Sequence, residues 1–171
     1  MPALSLRYDK RTFFPTLLFL LIAIVFLNIF ADLTLFKDSP VSIVIAALIS
    51  TVVIVVTGLS PFLVSHELNE RYLVLRQGWY FRAEIPVEDI KRIHAVEDGP
   101  VRTGVFFDIL GTALYVTTQR HNLLLLDLRE KRRFGWALGK KADRVYFDTL
   151  DKNLLLKKLG AKLATPSNPV R

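Results

Sequence analysis

The chain has no cysteine, so disulfides, thiolate metal sites and thiol catalysis are all excluded. Its three histidines, His66, His94 and His121, are scattered without metal-ligand spacing. No H-E-x-x-H, G-x-S-x-G or phosphate-cradling glycine loop is present. Each histidine is expected in a surface or turn role, and neither enzymatic activity nor a cofactor or metal is expected. Charge is missing in two places: there is none for twenty residues from Thr12 to Ala31, and none for twenty-seven from Ser39 to Ser65. A spanning helix needs about 20 mostly apolar residues, so each run is long enough to cross a bilayer.

Arg7, Lys10 and Arg11 before the first run resemble the basic leader of a secretory signal. The apolar core of such a signal is only about 7 to 15 residues long and ends at a small-residue site. Asn28-Ile29-Phe30-Ala31-Asp32 offers no A-x-A pattern, so the first run is expected to be retained as a span. Between the runs, Asp32, Lys37, Asp38 and Pro40 predict a polar turn and an antiparallel hairpin. Lys and Arg are retained on the cytoplasmic side. Three lie before the first run, Lys37 alone lies in the turn, and nineteen follow the second run. The expected location is the cell membrane, multi-pass, with both termini cytoplasmic. The expected organisation is an N-terminal segment over 1–11, helices over 12–36 and 39–64, a domain over 65–162 and a flexible tail over 163–171.

From Glu70 the hydrophobic period becomes strand-like. Arg71–Arg76 reads as a short buried strand closed by Gln77-Gly78, and Trp79–Pro86 as its hairpin partner. Trp79 and Tyr80 fit either ordinary strand positions or aromatic anchoring at a membrane interface. Val87–Val96 fits a helical face or a bent strand, and the strand is preferred. Further strands are expected at Val105–Leu110, Ala113–Thr118, Asn122–Leu128 and Arg144–Asp148. A closing helix is expected after an Asp148 or Thr149 cap, with Asp151 in its first turn and Gly160 as its stop. Leu150, Leu154, Leu155 and Leu159 lie near its apolar face. The fold class is therefore α+β: a two-helix transmembrane hairpin, then a strongly bent antiparallel sheet or partly open barrel capped by a C-terminal α-helix.

Two stretches carry a family resemblance. Leu68-Asn69-Glu70-Arg71-Tyr72-Leu73-Val74-Leu75-Arg76-Gln77-Gly78-Trp79, followed by Arg82-Ala83-Glu84-Ile85-Pro86-Val87-Glu88-Asp89-Ile90-Lys91-Arg92-Ile93, is similar to the opening of the bacterial pleckstrin-homology-like (PH-like) domains. In that family a strand ending in a glycine turn precedes an I-P-hydrophobic-x-x-I strand, and small members place two spanning helices before the domain. The resemblance covers most of residues 65 to 162. It implies a PH-like fold and a membrane-bound prokaryotic protein, in a family most of whose members have no assigned activity. The basic cluster around the first hairpin that marks phosphoinositide-binding PH domains is not reproduced, since Arg76 and Arg82 are the only cations there.

One charged segment stands out. Arg129, Lys131, Arg132, Arg133, Lys140, Lys141 and Arg144 flank Phe134-Gly135-Trp136-Ala137-Leu138, against only Glu130 and Asp143. Basic residues bracketing an aromatic tip have the composition of a surface that contacts lipid or a partner. The alternative, a solvated hairpin loop with Phe134 and Trp136 folded into the core, is slightly preferred. Asp127, within a run of leucines, must point to solvent or find a partner, and solvent is preferred. In the helices, Asn28, Ala46, Ala47, Ser50, Thr51 and Gly58 are candidate helix-packing positions. The expected function is a non-enzymatic, membrane-anchored PH-like module with a protein-binding or anionic-lipid-contacting cytoplasmic surface. The alternative is an accessory or assembly subunit whose helices pack against partner helices. Anionic lipids of the inner leaflet, and a membrane protein or a second copy, are the expected partners, and nucleic acid is not.

Overall fold

The computed structural model describes residues 4–34, 40–108, 111–134 and 140–164. Lys37, Asp38, Trp136 and the tail from 165 lie outside the described residues. The chain divides into a helical unit, Lys10–Val64 with Gly78–Tyr80, and a β-rich unit comprising the rest.

In the helical unit a 3-10 turn, Lys10–Thr12, leads into α1 (Phe13–Thr34). Helix α2 (Pro40–Val53) widens into a π-helical turn at Ile54–Leu59 and finishes as α3 (Ser60–Leu63). Pro61 has no N–H to give the preceding turn, and the Ser60 hydroxyl there donates to the Val56 carbonyl and accepts from Trp79 N–H. Two helices, Lys10–Thr34 and Val41–Leu63, are long and apolar enough to cross a membrane. Phe14, Phe19 and Phe26 are 67, 73 and 71 % exposed, a surface far more apolar than water tolerates on an isolated chain. One face is partly covered: Phe13, Leu17, Leu20, Ile24, Asn28 and Ala31 recur at helical spacing on α1. Opposite them Ser42, Ala46, Ser50 and Gly58 keep the second helix slim at multiples of four residues, the pattern that lets membrane helices approach closely.

The β-rich unit holds two sheets. The first has the order β1 (Leu4–Leu6), β2 (His66–Leu68), β3 (Tyr72–Gln77), β4 (Phe81–Pro86), with every neighbouring pair antiparallel. The second comprises β5 (Ile90–Asp98), β8 (His121–Arg133), β9 (Lys141–Phe147), β7 (Ala113–Thr117) and β6 (Gly104–Phe107), in that spatial order. The expectation of a purely antiparallel sheet is corrected here, because β7 and β9 pair in parallel. No closed barrel forms among the described residues, and the chain changes sheet through a 3-10 turn at Val87–Asp89, where the helix-or-strand ambiguity lay. On β4 the alternation is clean: Phe81, Ala83 and Ile85 are buried while Arg82 and Glu84 are exposed. Leu73, Leu75, Leu114, Leu124, Leu126, Val145 and Phe147 complete the core.

Three local expectations change. The N-terminal segment is not a free leader: Leu4, Ser5 and Leu6 pair with Leu68, Glu67 and His66. Leu150 and Leu154 are exposed, and only Leu155 and Leu159 of the expected face are buried where the closing helix α4 (Lys152–Ala164) meets β5. That helix also runs through Gly160, which has no neighbour within 4 Å of a built Cβ. Glycine inside a helix costs about 1 kcal/mol relative to alanine. Gly160→Ala is therefore expected to raise stability by about 0.5 to 1 kcal/mol, measured as a shift in the denaturant midpoint, and a lower midpoint would contradict the helical assignment.

Candidate functional site

The basic segment folds as the distal part of β8 and the start of β9, and the folded strands sort its charges. The β8–β9 register is irregular between Asp127 and Arg132, so simple alternation does not sort them. Arg132 forms an ion pair with Asp89 and is outside the groove that Arg129 and Lys131 line. The register places Arg92 opposite Asp127 and Asp127 opposite Arg144, so three strands set cation, carboxylate and cation in one row. Lys91 and Arg92, about forty residues upstream in the sequence, complete the basic lining. The groove is open, has a volume of about 600 Å³, and is also lined by Thr112, Leu128 and Asp143.

Its carboxylates are partly engaged. Arg92 Nε and Nη2 donate to Asp127 Oδ2 at 2.9 and 2.8 Å, and His94 Nδ1 lies 3.9 Å from the same oxygen. Asp127 therefore found a partner rather than open solvent. The Thr112 hydroxyl donates to Asp143 Oδ1, with Arg144 Nε 4.0 Å from that oxygen. Arg129 Nε donates to the Glu88 carbonyl at 2.9 Å. Lys91 and Lys131 form no ion pair among the described residues. Exposed pairs such as Arg92–Asp127 contribute only about 0 to 1 kcal/mol, so the row is poorly accounted for by stability alone.

The remaining expected site residues separate. Arg133 and Lys141 face each other across the β8–β9 pair and, with Lys140, are exposed outside the groove. Phe134 is buried, its ring 6.4 Å from that of Phe107, so it is part of the core and presents nothing to a membrane. In the helical unit, Asn28 Nδ2 donates to Ser50 Oγ and to the Ile24 carbonyl, both at 2.8 Å. Gly58 is packed so that a Cβ there would stand 2.6 Å from Leu17 Cδ1. Ala46 lies beside Asn28 and Ser50 in a shallow cleft, while Ala47 and Thr51 are exposed and Thr51 Oγ1 donates to the Ala47 carbonyl.

Beside the charged row runs a cross-strand ladder of aromatic rings. Phe106 and Tyr115 stack at 4.7 Å, as do Tyr115 and Tyr146. Burial, with Tyr146 beside it, pushes the Tyr115 phenol up from its ordinary value. Tyr115 is sandwiched between the other two rings, each of which turns one face to it.

A second polar cluster was not anticipated from the sequence. His66 is fully buried between the rings of Tyr8, 4.9 Å away, and Phe147, 5.9 Å away. Its Nδ1 accepts from Arg76 N–H at 3.1 Å, while Nε2 has no hydrogen-bond partner among the described residues. Burial lowers its pKa from 6.5 to about 4, against a weaker opposing influence from the Asp148 and Arg76 backbones. Asp148 is buried and accepts from both the amide and the hydroxyl of Thr118. Burial raises its pKa, and the Thr118 bonds oppose that shift.

Comparison of the chain with models of known protein families, with curated proteins and with solved structures finds no match.

Proposed function

We propose that this protein is a non-enzymatic, membrane-anchored module of the PH-like type whose β-rich unit presents a basic surface on the cytoplasmic side. The observation that carries the reading is the excess of cations in the groove of a domain tied to two apolar helices by very short connectors. Three residues separate β1 from the turn at Lys10, and two separate α3 from β2. The PH-like type rests on the resemblance over residues 68 to 93, together with a hairpin closed at Gly78, whose φ is +62°, and a C-terminal helix. Pairing of β1 with β2 supports placing the start of α1 and the end of α3 on one side. The Lys and Arg excess on that side supports the cytoplasm.

The absence of native cysteine makes an introduced thiol unique. In an Asn153→Cys variant, whose site is exposed, a membrane-impermeant maleimide is expected to label inverted membrane vesicles and not intact cells. Labelling in intact cells would reverse the orientation.

A second reading is favoured by a cleft of about 450 Å³ on the helical unit, where Asn28, Asp32, Ala46 and Ser50 stand among apolar side chains. A polar stripe in an apolar helix pair suits contact with another membrane helix. On this reading the protein is an accessory or assembly subunit, or forms homo-oligomers. Mass spectrometry of the full-length protein purified in mild detergent separates the readings. A stoichiometric membrane partner would favour the subunit, and retained anionic lipid alone would favour the lipid-facing module.

A further inference from the structure

We propose that the groove between β5, β8 and β9 binds the phosphorylated polyol headgroup of an anionic membrane lipid, the phosphate meeting Lys91, Lys131 and Arg129 and a headgroup hydroxyl meeting Asp127. The proposal rests on the membrane-anchored reading for the source of the ligand, and on the groove alone for its chemistry.

The charge distribution sets the phosphate end. Five basic and two acidic side chains line the groove, an excess of three positive charges. Clustered like charge repels itself unless a counter-charge is supplied. The same strand shows what a structural solution looks like: Arg132, outside the groove lining, is matched to Asp89. Within the groove the carboxylates serve Arg92 and Thr112, leaving Lys91 and Lys131 without an ion pair among the described residues. Arg129 uses Nε on the Glu88 carbonyl and keeps its terminal N–H groups for a ligand. Two point-like ammonium groups and a guanidinium fork suit the several oxygens of a phosphate better than the two of a carboxylate.

Asp127 sets the polyol end. Both bonds from Arg92 go to Oδ2, so Oδ1 accepts from no described residue. A bare phosphate would meet this free carboxylate oxygen as a repulsive neighbour, whereas a phosphate ester carrying hydroxyl groups can donate to it. A volume of about 600 Å³ accommodates such a headgroup. A single-stranded nucleic acid fits poorly, because its bases need exposed aromatic faces to stack on. Both faces of Tyr115 and one face each of Phe106 and Tyr146 are already used on each other.

The test uses the full-length protein in mild detergent, titrated with dioctanoyl phosphatidylglycerol, with glycerol 3-phosphate and with inorganic phosphate, and read as the shift in thermal midpoint. The Lys91→Gln, Lys131→Gln double variant is compared with an Arg133→Gln, Lys141→Gln control, which removes the same charge outside the groove. A saturable shift with the lipid is expected, weakened about thirtyfold in the groove variant, which loses two direct phosphate contacts at about fivefold each, and less than about threefold in the control, which loses none. An equal response to glycerol 3-phosphate, lost in the groove variant, would uphold the groove and overturn the lipid as its source. Equal weakening in both variants would reduce the effect to diffuse charge and overturn the site. So would a response to inorganic phosphate as strong as to the esters, or no saturable shift at all.

Discussion

Replacing Tyr8 with alanine is expected to cost the β-rich unit about 3 to 5 kcal/mol, the usual range for emptying a large aromatic site in a core. Tyr8 is 2 % exposed and Leu6 is fully buried, although both precede the first apolar helix and their partners follow the second. Between them Arg7 is held by its backbone: its N–H donates to Asp151 Oδ2, and its carbonyl accepts from Leu150 N–H and the Thr149 hydroxyl. The first nine residues therefore supply an edge strand, core side chains and a tie to the start of α4. A soluble piece covering only residues 65–171 lacks all three. It is expected to be far less stable than the same piece joined through a flexible linker to residues 1–9, as read by amide hydrogen exchange over β2 and β3. Equal protection in the two pieces would show that the N-terminal strand is dispensable.

Acid is expected to weaken the same region through His66. Its pKa falls from 6.5 to about 4 on folding, chiefly because burial penalises the imidazolium. The folded state thus binds fewer protons than the unfolded state in this window. The contribution is complete above pH 6.5 and is lost as the pH falls toward 4, reaching about 2 kcal/mol at pH 5 and about 3 kcal/mol at pH 4. Asp148 acts in the opposite sense, since its raised pKa favours the folded state below the ordinary carboxyl value and ceases to do so as the pH rises through the folded value. That term offsets part of the His66 loss as the pH falls through the raised folded value of Asp148. Comparing denaturant midpoints at pH 7 and pH 5 for the parent and for His66→Gln isolates the histidine, because Gln still offers an acceptor to Arg76 N–H. If the variant loses as much stability as the parent over that interval, the buried imidazole is not the sensor.

The two apolar helices and the change to strand period were legible because each depends on local residue patterns. Strand β1 was not, since three residues in front of a basic leader carry no periodicity, and its partner stands more than sixty positions away. The basic segment was visible as composition but not as a surface. Only the folded strand, irregular in register between Asp127 and Arg132, separates Arg132 from Arg129 and Lys131, and only the pairing with β5 brings Lys91 and Arg92 beside them. Phe134 follows the preferred of the two readings the composition allowed, since its ring belongs to the core and does not form a membrane-facing tip. Gly160 did mislead: glycine ends many helices, but here Leu155 and Leu159 hold α4 to β5 and the helix continues past it.

The antiparallel pairing of Leu4–Leu6 with His66–Leu68 also fixes an order of events during synthesis. The first strand emerges from the ribosome long before its partner exists, and both apolar segments must be made in between. If both segments cross a bilayer, as proposed above, a nascent chain that inserted only one of them would leave its two ends on opposite sides, where the strands could never meet. Such a chain would display an incomplete sheet, with Leu6 and Tyr8 stranded away from the core, to the proteases and chaperones that survey unfolded protein. On the proposed two-span reading, completion of the sheet would double as an inspection step, since the domain would finish folding only on molecules whose anchor had been threaded correctly.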